Sequence, residues 1–308
     1  MLITGAGSGI GAAVAERATA DGWEVTICGR RPGPLEEVAA RTGARSVVAD
    51  VTNPAAVRAL VDGTVAAQGR LDCVVANAGV MRGGSVADLD PADWELTLRT
   101  NLTAPYLLAR AALPHLLAGR GLRASSGGGM GVGPGEGSGN GSGGGLVGEE
   151  RLSAAVDGRP TAPGGSLVAV ASIAALRASS SAAAYAVSKA GLVMLTQSLA
   201  ADFGPAGLRA NVVCPGWVRT EMADQEMTEF GAPRGLDRDT AYREVTRLVP
   251  QRRPAEPAEI AAAITWLAGP DASYVNGACL VVDGGTVLID PGTVGLDFSV
   301  TPRTPPSC

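Results

Sequence analysis

The chain has 308 residues, 46% hydrophobic and 18% charged, with a formal net charge of −5. That balance describes a folded protein and offers no basic surface for nucleic acid or an anionic membrane. No run of about 18 apolar residues occurs, and the start lacks the basic and apolar regions of a secretory leader, so neither a span nor export is expected and the expected setting is the cytoplasm. The five cysteines (Cys28, Cys73, Cys214, Cys279, Cys308) are scattered without metal-ligand spacing or a disulfide framework, and the one histidine, His115, lies in an apolar helical run. No metal site is expected. Of the 25 basic residues, 24 are Arg and one is Lys, Lys189.

In chain order, short apolar runs alternate with helical patterns. The strand candidates are Leu2–Ile3, Glu24–Cys28, Ser46–Ala49, Leu71–Ala76, Ser166–Ala171, Arg209–Cys214 and Cys279–Val282. The helix candidates are Ile10–Asp21, Leu35–Arg41, Pro54–Gln68, Pro91–Leu117, Ala183–Phe203 and Pro257–Leu267. This alternation predicts βαβ units and a parallel sheet of about seven strands buried on both faces. Only Met1 to Ile3 precede the first glycine, so the first strand is expected to be short.

Thr4-Gly5-Ala6-Gly7-Ser8-Gly9-Ile10-Gly11 follows that strand and opens a helix. Glycines there let the backbone turn and approach a pyrophosphate, and the helix start offers free N–H groups. The spacing is T-G-x-x-x-G-x-G, with Ile10 where the common dinucleotide fingerprint has a glycine. Asp50, after the third strand candidate, is read either as an acceptor for an adenine amine or as a cap for the helix at Pro54, a role for which Asn53 competes. Asn77-Ala78-Gly79 ends the fourth strand.

Gly119 to Gly165 interrupts the rhythm, and its Gly/Ser centre reads as a disordered insertion. It joins a helix end to a strand start, which lies opposite the strand carboxyl ends where ligands bind in such sheets. Tyr185 and Lys189 are four apart on a helix and share a face. An ammonium near a phenol stabilises the phenolate and is expected to lower the phenol's pKa. Ser172 ends the preceding strand, where its hydroxyl can hold a substrate oxygen. Pro215-Gly216 follows the sixth strand, residues 217–253 read as a substrate-covering lid rich in charge, and residues 290–308 read as an extended tail. Residues 1–289 are read as one domain. The apolar lid residues Trp217, Met222, Met227, Phe230 and Leu236 either line a pocket or fold the lid onto the body.

Together, Thr4-Gly5-x-x-x-Gly9-Ile10-Gly11, Asp50-Val51, Asn77-Ala78-Gly79, Asn101, Ser172, Tyr185-x-x-x-Lys189 and Pro215-Gly216-x-x-x-Thr220 resemble the short-chain dehydrogenase/reductase family over residues 1–118 and 166–285. The resemblance implies a Rossmann-like, doubly wound α/β fold with helices on both faces. It implies Tyr185 as general acid/base and Lys189 as the group that lowers its pKa and holds the nicotinamide ribose. Ser172 would orient the substrate oxygen, and Asn101 would position a relay water. Thr220 and the backbone near Val218 would hold the carboxamide. At the second strand's end, Gly29 stands where an acid would bind a ribose 2′-hydroxyl, and Arg30 follows. This favours NADP, while Arg30 and Arg31 read as solvated loop charges keep NAD open. A homotetramer or homodimer is implied, built through Pro91–Leu117 and Ala183–Phe203. Two other classes remain. A non-catalytic cofactor-binding regulator would have lost part of the catalytic set. An epimerase or dehydratase relative would carry T-G-x-x-G-x-x-G, and an enoyl reductase a longer Tyr-to-Lys spacing.

Overall fold

The computed structural model describes residues 1–118, 164–178 and 180–290. The expected Gly-rich insertion and the expected C-terminal tail lie outside them, apart from Gly164, Gly165 and Asp290. Seven strands are present: β1 (Leu2–Thr4), β2 (Thr26–Gly29), β3 (Arg45–Val48), β4 (Cys73–Ala76), β5 (Ser166–Val170), β6 (Arg209–Pro215) and β7 (Cys279–Val282). They form one parallel sheet in the order β3-β2-β1-β4-β5-β6-β7. The order reverses between β1 and β4, which opens a crevice at their carboxyl ends. The helices are α1 (Gly9–Ala20), α2 (Pro32–Thr42), α3 (Pro54–Gln68), α4 (Pro91–Leu98), α5 (Ala104–Leu117), α6 (Ala183–Phe203), α7 (Glu221–Gly231), α8 (Arg238–Val245) and α9 (Pro257–Ala268).

The period of two along each strand divides the core. Ile3, Ile27, Val75, Val168 and Val213 pack on one face with Val14 of α1 and Ile260 and Ile264 of α9. Their neighbours Leu2, Cys28, Val74, Leu167 and Val212 pack on the other with Leu60 of α3, Leu108 of α5 and Leu192 of α6. Two covered faces need apolar residues at successive positions, which explains the unbroken runs. β3 departs from that expectation: it is an edge strand, and Val48 is exposed.

The expected continuous helix Pro91–Leu117 is interrupted by a π-helical turn at Arg99–Thr103. The expected lid contains α7 and α8, whose Met227, Ala241 and Tyr242 form a small core with Trp217 and Phe230. Trp217, Met227 and Phe230 thus help pack the lid, while Met222 is exposed. The N–H of Gly165 donates to the carbonyl of Leu116 at 3.0 Å, so the end of α5 meets the start of β5 at the sheet's amino edge.

Arg209, at the start of β6, is buried. Its guanidinium donates to the carbonyls of Leu267, Ala268, Gly269 and Ala272, at 2.7 to 3.1 Å. These include orphan carbonyls at the end of α9, where a cation is also favoured by the helix dipole. Arg209→Met would leave them dry and unpaired, and we expect a loss of about 3 kcal/mol, on the scale of stranded buried acceptors. Urea unfolding checks this; an unchanged midpoint would show that water replaces the guanidinium.

Candidate active site

The crevice is built from the glycine turn upward. Gly5 has φ +66°, in the left-handed region, and a Cβ there would lie 2.7 Å from Ala78 Cα. A Cβ on Gly11 would meet Asn77 Nδ2 at 2.6 Å. Two glycines thus let the first turn rest against the end of β4. Thr4 fastens the two: its hydroxyl donates to Val75 O and accepts from the N–H groups of Asn77 and Ala78, at 3.3, 3.1 and 3.2 Å. Asn77 Nδ2 returns bonds to the carbonyls of Thr4 and Gly5, both 3.0 Å. Ser8 is the N-cap of α1 and makes no side-chain cap. The first-turn N–H groups of Gly9, Ile10 and Gly11 have no acceptor within the helix, so the turn fits an anionic diphosphate.

On the other side of β4, Asn101 lies in the π turn and is fully buried. Its Oδ1 accepts from Val80 N–H, and its Nδ2 donates to Val80 O and Ser188 Oγ, at 2.8, 2.8 and 3.1 Å. A Cβ placed on Gly79 would lie 3.3 Å from Asn101 Oδ1 and 3.5 Å from Lys189 Nζ. Both polar atoms therefore sit close against Gly79, where a side chain would press on them. Lys189 is buried on α6, and its Nζ donates to Val170 O at 2.8 Å. The same Nζ lies 5.6 Å from the centre of the Tyr185 ring. Ser172, just past β5, accepts from Ala174 N–H at 3.1 Å and lies close enough to the Tyr185 phenol to act on its pKa.

Electrostatically the pair departs from the expectation. Burial pushes the Tyr185 phenol up to about 12, with the Ser172 hydroxyl pulling it down and the Glu226 carboxylate adding to the rise. Burial also lowers the Lys189 ammonium to about 8. Loss of water is the largest cause of both shifts.

At the adenosine end, Val51 is buried, and Asp50 accepts from Thr52 N–H and Oγ1, each at 2.9 Å. Asn53 caps α3, so Asp50 does not. Arg30 is exposed and makes no hydrogen bond or ion pair among the described residues, acting on Asp50 only through space. Gly7 abuts Pro34 and Gly9 abuts Thr220. Thr220 caps α7, Val218 bridges to Ala255, and a Cβ on Gly216 would lie 2.8 Å from Asp283 Cα. Pro215 ends β6 opposite Val282.

Two carboxylates were not anticipated as part of the site. Glu221 takes a bidentate hydrogen bond from Arg31 at 2.7 and 2.6 Å. Glu226, on the lid, raises the Tyr185 pKa through space. The lid charges, expected to be solvent-facing, are in part engaged: Asp224 accepts from Tyr242 and Arg238, and Arg219 pairs with Asp239.

Residues 1–134 match a family profile described as short chain dehydrogenase, and residues 151–287 one described as Enoyl-(Acyl carrier protein) reductase. The chain is 35% identical over 289 residues to Protein MoaE of Klebsiella aerogenes, covering 92% of this chain and 94% of that one. It is 33% identical to D-threitol dehydrogenase of Mycolicibacterium smegmatis, covering 92% and 91%. A variant of actinorhodin polyketide ketoreductase, solved with NADPH, superposes with a TM-score of 0.73 at 28% identity, covering 92% and 95%.

The lowered Lys189 pKa has a stability signature. An ordinary lysine titrates near ~10.4. The penalty for burying the ammonium is complete below about pH 8 and disappears as pH rises towards that ordinary value. Lys189→Met lacks the penalty, so the wild type should gain on the variant across this window. Urea midpoints of both proteins at either end of it test this; a constant gap would contradict the burial argument.

Proposed function

The chain belongs to the short-chain dehydrogenase/reductase family, and we propose that it transfers a hydride between a nicotinamide cofactor and a carbonyl or secondary alcohol, with Tyr185 as general acid/base. The observation that carries this is the meeting of Ser172, Tyr185, Lys189 and Asn101 beside the glycine turn. When bound, the nicotinamide supplies or accepts the hydride. Gly5, Gly7, Ser8, Gly9, Ile10 and Gly11 hold its diphosphate, on a turn that Thr4 fastens to β4. Asp50, Val51, Asn77, Ala78 and Gly79 line the adenosine side, while Pro215, Gly216, Val218 and Thr220 hold the carboxamide side.

Tyr185 keeps its proton at neutral pH, because burial raises its pKa to about 12. It gives that proton to the substrate oxygen in reduction and receives one in oxidation. Lys189 favours the phenolate as the proton leaves. Ser172 holds the substrate oxygen beside the phenol. A water held by Asn101 passes the proton onward from Lys189. Gly29 offers no acid to a 2′-hydroxyl and Arg30 is free for a 2′-phosphate, which supports NADPH over NADH. The NADPH-bound ketoreductase lends the same support. The likeness to D-threitol dehydrogenase makes small polyols and their ketones the first substrates to try.

Three other readings are weaker. A non-catalytic regulator would not need all four catalytic residues. The glycine spacing departs from that of epimerase-type relatives. The four-residue spacing of Tyr185 and Lys189 departs from the enoyl-reductase pattern, despite the profile matched by the C-terminal half.

Tyr185→Phe should lower kcat roughly 1000-fold, within the range of a lost general acid, while cofactor affinity is kept. Lys189→Arg should keep the charge and still lose most activity, because a planar fork replaces a compact ammonium. Reduced-nicotinamide absorbance with a panel of ketones and alcohols measures both, and activity that survives Tyr185→Phe would sink the mechanism. Exposed Tyr106 on α5 and Val187 and Met194 on α6 support a homotetramer or homodimer formed through these helices. A single-chain mass by light scattering would exclude it.

A further inference from the structure

The lid meets the glycine turn at the start of α7. The glycine turn is bounded on one side by Pro34 of α2, where a Cβ on Gly7 would lie 3.3 Å away. On the other side it meets Thr220, 3.1 Å from a Cβ on Gly9. Arg31 immediately precedes α2 and Glu221 opens α7. Their side chains therefore reach across the turn and meet, with Arg31 Nη1 and Nη2 donating to Glu221 Oε1 and Oε2 at 2.7 and 2.6 Å. The Ser8 hydroxyl also lies near enough to this carboxylate to lower its pKa. Arg31 and, to a lesser degree, Ser8 hold the Glu221 carboxyl at about 2, so it is ionised at any working pH.

We propose that Glu221 is an internal counter-anion of the cofactor site, competing with a phosphoryl group of the nicotinamide dinucleotide for Arg31 and Ser8 and so setting cofactor affinity and preference. This rests on the dinucleotide-binding reading above. The donors suit either anion. A guanidinium fork receives a carboxylate and a phosphate in the same bidentate fashion, and a serine hydroxyl donates to both. Arg30, beside Arg31, carries no such partner and is free from the start. Arg31 becomes available only when Glu221 lets go, and letting go also unties the start of α7. The apparent affinity is then reduced by the fraction of molecules in which the pair is closed. An exposed pair of this kind holds weakly, so the reduction is modest. The phosphoryl group is either the diphosphate common to both cofactors or the 2′-phosphate of NADPH alone.

The test is calorimetric titration of the full chain with NADPH and with NADH, without substrate. Glu221→Gln removes the charge and should bind roughly fivefold more tightly, the scale of one exposed ion pair. A gain confined to NADPH assigns the contact to the 2′-phosphate, and an equal gain for both assigns it to the diphosphate. Either supports the proposal. Arg31→Met added to Glu221→Gln should erase the gain. Glu221→Asp, too short to keep both hydrogen bonds, should move affinity in the same direction by less, and serves if the Gln variant folds poorly. Unchanged or weakened binding of both cofactors by folded Glu221 variants would overturn the proposal while leaving the dinucleotide reading intact. If the unaltered protein binds neither cofactor, that reading falls and the proposal with it.

Discussion

The ends of β1 and β4 lie closer together than side chains at Gly5 and Gly11 would permit, and the site is arranged around that approach. It occurs where the strand order reverses, so the two chains diverge beyond it and leave a crevice. Thr4 and Asn77 hold the approach with hydrogen bonds that run in both directions between the strands. The Thr4 hydroxyl uses its donor and both lone pairs, so no buried polar group there is left without a partner. From this junction the glycine turn points its N–H groups to one side. Gly79, with Asn101 and Lys189 against it, lies on the other.

Burial governs the chemistry of the pair on α6. Phenol and ammonium both lose water, and each moves towards its neutral form, Tyr185 upward and Lys189 downward. The Val170 carbonyl offsets part of the lysine's penalty with a hydrogen bond. A guanidinium in that place could not shed its charge and would bring five donors into a pocket where Val170 offers one acceptor. This gives a physical reason for one lysine in a chain that otherwise uses arginine.

Much of this was legible because it is local or periodic. Apolar runs such as Cys73–Ala76 announce strands covered on both faces, and the spacing of Tyr185 to Lys189 announces a shared helix face. What the sequence hid depends on tertiary contacts. The π turn that carries Asn101 interrupts a run that reads as continuous helix, and it coincides with an amide clamped on the backbone of Val80. Arg31 and Glu221 are 190 positions apart, and each alone looks like a solvated charge. Met227 and Phe230 pack into a small core with Tyr242, which one-dimensional hydrophobicity cannot distinguish from a substrate pocket. The spacing of Tyr185 to Lys189 reveals the neighbouring charge but not the loss of water that raises the phenol's pKa.

The backbone bond between Gly165 and Leu116 has a separate implication. It brings the chain's exit from α5 and its return into β5 together at one doorway, on the sheet edge away from the crevice. A guest domain whose own ends are close could be spliced into that doorway without crossing the catalytic face. β5 then runs from the doorway to Val170, two residues before Ser172, so the splice point and the crevice lie at opposite ends of one strand.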